Sequence, residues 1–445
     1  MDRKSGFMIL ALAMIALAAA SAAGEMPGNT ANPQAVQEVL AGKRATANAA
    51  WWGFQEEDST EALQAAINSG AKRVLVPNMT KDWIVRPLKL AGHQELILED
   101  GVVITAKRGE YRGSGDSLLN ARDLSDLVIR GYGATVRMQK EDYISGDLLD
   151  RLGWNRWFGA YKKAEGRMAL KLRGATDVGV YGLTLRDSGG DGIYVQDCKN
   201  IRIQDVVCDN NYRQGISVIC VEGLTVENSV FKNTWGTPPA AGLDIEPDRP
   251  TQSIRNVAFR NCRFEDNYGD GIELNLARVR AEAGDVSILF DNCRVSSRRG
   301  TGIRLSKMRD DGPGGVIEFR NCVVENTEGY GIKVNDKSAK ARLKFVNCAV
   351  RNAANNRKYS GPWTPVSISV SAGPNSGKRQ GGIEFVNCSV EDRYDRPLIT
   401  VDEPEGDYIL VDVTGNIDGR NPFGVRTALG KKHERVTLAV TESER

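Results

Sequence analysis

GIYVQ at 192–196, GISVI at 215–219, GLDIE at 242–246, GIELN at 271–275, GIRLS at 302–306 and GIKVN at 331–335 write one pattern six times. The glycines stand 23, 27, 29, 31 and 29 residues apart, and each run is followed by a second alternating run such as LTVENSVFKN, VAFRNCRFEDN or IEFRNCVVEN. Two or three short strands per period is the signature of a solenoid, in which each coil buries its apolar face against its neighbours. Within the first runs polar and apolar residues alternate, so Ile193, Val195, Ile216, Val218, Leu243, Ile245, Ile272 and Leu274 share the inward face. A leucine-rich repeat has a similar period. Its L-x-x-L-x-L spacing is absent, and the segments between strands are short and rich in Gly, Asn and Asp rather than helical. The fold class is therefore all-β, one elongated solenoid of roughly ten coils.

The second runs carry Asn-Cys at 261/262, 292/293, 321/322, 347/348 and 387/388, with Asn228 and Asp205 at the equivalent place in earlier coils. Stacking predicts a hydrogen-bonded Asn ladder at a turn and an interior column of cysteines. Eight cysteines in an exported chain would ordinarily suggest disulfides, but a slot repeated in every coil offers no complementary pairing. Free buried thiols are expected.

Upstream, Asp58 to Glu61 reads as a capping box opening a short helix through Ala62, Leu63, Ala66 and Ile67, which would cover the apolar end of the first coil. The strand-like runs RVLVPNM, WIVRPLKL, QELILEDGVVI and SDLVIRGYGATV follow. This order, in DSTEALQAAINSGAKRVLVP, resembles the pectate-lyase-like superfamily of right-handed parallel β-helices, over about residues 50 to 415. The resemblance implies a single-stranded right-handed parallel β-helix with an N-terminal capping helix. It leaves the reaction open, because that superfamily includes polygalacturonase-type hydrolases, calcium-dependent lyases, uronate epimerases, pectin esterases and non-catalytic spikes. The N-T-D and G-H-G motifs of the polygalacturonase type are missing here.

The outward residues of the first strands are Tyr194 and Gln196, Ser217 and Ile219, Asp244 and Glu246, Glu273 and Asn275, Arg304 and Ser306, Lys333 and Asn335; Asp191, Arg213 and Asp270 stand in the preceding turns. Coils ~4.8 Å apart would crowd Asp244, Glu246 and Glu273 into one patch and raise the pKa of at least one of them. Two carboxyls with separated pKa values can supply a general acid and a base or nucleophile. Column neighbours would suit a retaining glycosidase and a diagonal pair an inverting one. The candidate catalytic residues are Asp244, Glu273, Glu246, Asp270 and Asp191. Arg213, Tyr194, Gln196, Asn275, Arg304, Lys333 and Trp235 are candidates for holding substrate. The same pattern also reads as a solvated sheet face, and Asp191 and Asp270 as Asp-Gly turn formers. The runs SGGDGIY, NNYRQGISV and AGLDIEP resemble bacterial right-handed parallel β-helix repeat proteins, which implies a site at Asp191, Arg213, Asp244 and Glu246.

No cofactor is required by the hydrolase reading. In a lyase, Ca²⁺ would sit on Asp244, Glu246 and Glu273, with an Arg or Lys as base. His93 and His433 lie away from the stripe, which argues against His-metal sites and Ser/His/Asp hydrolysis. Two insertions, near 139–168 (Tyr143, Trp154, Trp157, Phe158, Tyr161) and 352–378 (Tyr359, Trp363), together with Trp235 in NTWGTPP, are expected to wall a sugar-binding groove.

Residues 1–23 read as a secretory signal, with Arg3 and Lys4 before an apolar run from Phe7 to Ala20; 24–48 read as a linker and 49–445 as the β-helix domain. Periplasmic or secreted delivery follows, with no integral membrane segment after signal removal. Lys plus Arg (59) nearly cancels Asp plus Glu (57), so nothing points to nucleic acid. The expected partner is a polysaccharide or oligosaccharide. The expected activity is glycoside hydrolysis, with polysaccharide lyase or uronate epimerase and a non-catalytic glycan-binding β-helix as alternatives.

Overall fold

The computed structural model describes residues 28–113, 115–144, 166–355, 363–370, 378–402, 407–430 and 433–442. The expected signal at 1–23 lies outside them, as do Trp154, Trp157, Phe158, Tyr161 and Tyr359.

Each coil lays one short strand on a 12-stranded sheet and the rest on a 24-stranded sheet, with parallel pairing throughout the ladders. Ile216–Val218, Val221–Glu227 and Val230–Lys232 make one such coil. The 12-stranded sheet runs from Leu88–Lys89 to Thr427–Leu429, so the described coils number twelve rather than roughly ten.

The repeated residues have separable physical reasons. A Cβ on Gly215 would stand 2.5 Å from the Gly242 carbonyl oxygen and 2.8 Å from Phe231 Cβ, so the turn closes tightly enough there to admit only glycine. Asn228, Asn261, Asn292, Asn321 and Asn347 all have φ between 52° and 54°, the left-handed region that Asn tolerates best among residues with a side chain. Their amides form the expected ladder: Asn292 donates to Asn261 at 2.8 Å, Asn261 to Asn228 at 3.3 Å and Asn228 to Asp205 at 3.3 Å. Asn321 departs from the column by donating to Asp291 instead, at 3.0 Å. The following cysteines point inward. All eight cysteines are free and seven are buried. Beside them Phe259, Phe290, Phe319, Phe345 and Phe385 stack with ring centroids 4.5 to 5.2 Å apart. Burial of each such ring contributes about 1.5–3 kcal/mol.

The N-terminal end is closed by two helices. α2 (Thr60–Ile67) is the expected cap, and buries Leu63, Ala66 and Ile67. Ser59 makes no side-chain cap; Asp58 Oδ1 accepts the Thr60 N–H at 3.0 Å, so the start is an Asp turn rather than a capping box. The stretch expected to be a linker, 24–48, is a further correction from residue 28 onward. It holds α1 (Pro33–Leu40), capped by Asn32 and burying Ala35 and Val39, and the strand Thr46–Asn48, which pairs with Arg73–Leu75. Its polar composition concealed a narrow apolar face. Among the described residues, no helix is long and apolar enough to cross a membrane.

Candidate functional site

Strand register fixes two columns on the outer face of the 12-stranded sheet. Tyr194, Ser217, Asp244, Glu273, Arg304 and Lys333 are successive Cα partners in the first. Neighbouring strands are ~4.8 Å apart, so Asp244 and Glu273 stand side by side. In the second column Asn275 donates to Glu246 Oε1 at 2.8 Å. Glu246 is therefore diagonal to Glu273, at roughly 8 Å between Cα positions.

Asp244 is only 1% exposed. Its Oδ2 accepts from Gln214 Nε2 at 3.0 Å, and the Gln214 Oε1 accepts the Ala241 N–H at 2.9 Å. Its Oδ1 is buried with no hydrogen-bond partner among the described residues. Burial lifts the Asp244 pKa well above the carboxylate range, with Glu273 and Glu246 adding to the lift and Arg213 opposing it. Glu273 is less completely covered; burial and then Asp270 push it up to about 7, against the pull of Arg304. Two adjacent carboxyls do not both ionise near neutrality. Burial disfavours the anion of each, and Asp244 is the more completely covered of the two.

Asp270 is not a water-facing acid. It is 5% exposed, accepts Arg304 through Nε and, at 3.2 Å, through Nη2, and takes the Thr301 N–H at 2.6 Å. Its place is behind Arg304. Asp191 has no exposed side-chain surface, and its Oδ2 lies 3.9 Å from Arg213 Nη1. Both carboxyls are covered, as the Asp-Gly turn-former reading has it, whereas Arg213 and Tyr330 in the corresponding turns are partly exposed.

Tyr194 donates to Gln196 Oε1 at 3.2 Å, and burial raises its pKa to about 12, so it stays a neutral hydroxyl. The Lys171 ammonium stands 5.6 Å over the Tyr194 ring, and that of Lys333 stands 4.9 Å over Tyr330, which stacks on Trp363 at 5.1 Å. Burial, then Arg304, lowers the Lys333 pKa. Trp363 is thus an insertion aromatic that does reach the sheet. Trp235 is elsewhere: half exposed, it lines a groove with Tyr268, Arg298, Arg299 and Glu328, apart from the acidic columns. Among the described residues, no three His, Cys, Asp or Glu side chains are grouped closely enough to hold a metal ion by themselves.

The sequence matches the family described as "Right handed beta helix region" over residues 161–246 and 255–390. The chain belongs to the right-handed parallel β-helix superfamily. Among solved structures, this β-helix is similar to the A-module of mannuronan C-5 epimerase AlgE6 of Azotobacter vinelandii, with a TM-score of 0.63 at 14% identity, covering 90% of this chain and 100% of that one. The AlgE4 A-module gives 0.56 at 14% identity, covering 88% and 99%. A family 28 exopolygalacturonase of Yersinia enterocolitica gives 0.53 at 13% identity, covering 89% and 78%. These likenesses show the fold. No curated protein matches the β-helix in sequence.

Gln214, Lys171 and Tyr330 were not anticipated. Gln214 and Tyr330 occupy the slot before the repeated glycine that Asp191 and Asp270 also occupy, so a column reading of that slot finds them. Lys171 lies in a strand, Leu170–Arg173, whose coil lacks that glycine.

Proposed function

We propose that this β-helix is an exported carbohydrate-active enzyme, a glycoside hydrolase acting on a polysaccharide or oligosaccharide, and periplasmic or secreted. The observation that carries it is Glu273, a partly accessible carboxyl raised to about 7 beside a more deeply buried Asp244. A carboxyl with that pKa is a general acid at neutral pH, able to protonate the leaving glycosidic oxygen. Glu246 on the diagonal, held by Asn275, is the base that activates water. A diagonal pair, rather than two column neighbours, is the arrangement that leaves room for that water and suits inversion. Asp244 acts through Glu273: kept neutral, it adds no charge against which Glu273 must ionise. Arg213, Tyr194, Gln196, Arg304 and Lys333 position the glycan. The fold likeness to polysaccharide-acting enzymes supports the reading.

A second reading, β-elimination or C-5 epimerisation of a uronate, is favoured by Lys333, whose depressed pKa suits a base that takes the proton next to a carboxyl. Product analysis over a panel of neutral, sulfated and uronate glycans, with and without EDTA, separates the readings. New reducing ends without an unsaturated chromophore, lost in Glu273→Gln, support hydrolysis. Unsaturated or epimerised products lost in Lys333→Met support the second reading. Binding without turnover across the panel leaves a glycan-binding module.

A further inference from the structure

The outer face continues below Tyr194 with a different character. Lys171 is the register partner of Tyr194, Asn120 of Lys171, and Lys89 of Asn120, while Arg173 and Arg122 pair alongside in the second column. Lys89, Arg122, Lys171 and Arg173 line one groove of about 560 Å³, together with Asp116 and Asp123. Asp123 pairs with Arg122, accepting its Nε at 3.3 Å, and Asp116 accepts the Gly113 N–H at 2.6 Å. Among the described residues no ion pair holds Lys89, Lys171 or Arg173. Lys171 has its pKa lowered by burial, then by Arg173 and Arg122, against a smaller opposing pull from Asp191, so the cations outweigh the acids around it.

We infer that this groove is a distal subsite for the negatively charged groups of an acidic glycan chain, carboxylate or sulfate, whose other end is processed at Glu273. The inference rests on the glycan-processing reading of the Glu273 column. Four strand steps separate Lys171 from Glu273 along the sheet, ~19 Å. Only a chain of several sugar units spans that distance, and the continuous column Lys171, Tyr194, Ser217, Asp244, Glu273 gives it a straight track. The excess of cations over acids makes the groove favour acidic over neutral chains, because that attraction has no counterpart for a neutral one.

The test uses Glu273→Gln to prevent turnover, and the same protein carrying Lys89→Gln and Arg173→Gln. These two side chains are exposed, so the fold tolerates their change. Binding of polygalacturonate, alginate, hyaluronan and chondroitin sulfate oligomers, short and long, is compared with dextran and xylan oligomers at low and high salt. The inference expects at least one long acidic oligomer to bind, more weakly at high salt and about tenfold or more weakly to the double variant, with disaccharides insensitive to it. Equal binding by both proteins, a preference for neutral chains, or no binding of any acidic oligomer overturns it. An acidic chain bound in the groove but left unprocessed by the wild type upholds the subsite and sinks the hydrolase. A neutral glycan cleaved in a Glu273-dependent way, equally well without Lys89 and Arg173, does the reverse.

Discussion

The fully buried Gln214 donates its side-chain amide to Asp244 Oδ2 at 3.0 Å while its carbonyl is pinned by the Ala241 N–H, so the orientation of Asp244 is set by the preceding coil. Removing that donor leaves two buried oxygens of Asp244 unsatisfied instead of one. Gln214→Leu is expected to lower stability by about 1–3 kcal/mol, measured by denaturant unfolding, and to reduce kcat more than KM.

Glu273 sets the pH behaviour. As a general acid with a pKa of about 7, it gives an activity that falls as pH rises through that value, and Glu273→Gln reduces kcat by about 10²- to 10⁴-fold. Stability moves in the same direction. The folded-state pKa lies above the ordinary 4.5, so the folded chain holds a proton that the unfolded chain releases. That contribution is full below pH 4.5 and is lost as pH rises to about 7. Thermal melts of Glu273→Gln should therefore show a gain on the order of 2 kcal/mol above neutrality and none in acid.

Asp244 is expected to behave as a neutral group. Asp244→Asn should leave the alkaline limb of the pH–rate profile near its wild-type position, since the charge it removes is not present while Glu273 titrates. A large shift of that limb would mean that Asp244 is ionised there.

Asp270 acts at a distance from substrate. Its charge raises the Glu273 pKa, and its pairing neutralises Arg304, whose own charge lowers it. Asp270→Asn should move the alkaline limb to lower pH. A variant that only loosened the turn would reduce activity without moving the limb.

The interior makes an independent prediction. With all eight cysteines free and Cys220 alone among them partly exposed, thiol titration of the native protein should react Cys220 first and the other seven only on unfolding. Reducing agent should leave the melting temperature unchanged. Phe290→Ala, which opens the most closely stacked ring pair, should cost about 3–5 kcal/mol.

The repeat made the coil legible because each of its residues answers a separate constraint: glycine where coils close on one another, Asn in the left-handed turn, Cys and Phe in interior columns. The column order Tyr194, Ser217, Asp244, Glu273, Arg304, Lys333 followed from alternation alone. Depth did not. Alternation places Asp244 and Glu273 on the same face, yet the first is covered, with Gln214 of the coil before hydrogen-bonded to it, and the second is partly open. The two readings of Asp191 and Asp270 stayed open in the sequence for the same reason, because a turn residue before glycine can face water or the next coil. Trp235 lies on the row of turns, which alternation does not describe. The chain's first coil was hidden by a polar sequence whose helix exposes all but a narrow strip.

The most direct test of the central claim is a carboxyl NMR titration of protein labelled at Glu side chains, compared with Glu273→Gln. One glutamate resonance is expected to titrate at about 7 in the wild type and to be missing in the variant. A wild-type spectrum in which every glutamate has finished titrating below about pH 5.5 would contradict it, leaving an ordinary solvated acidic face.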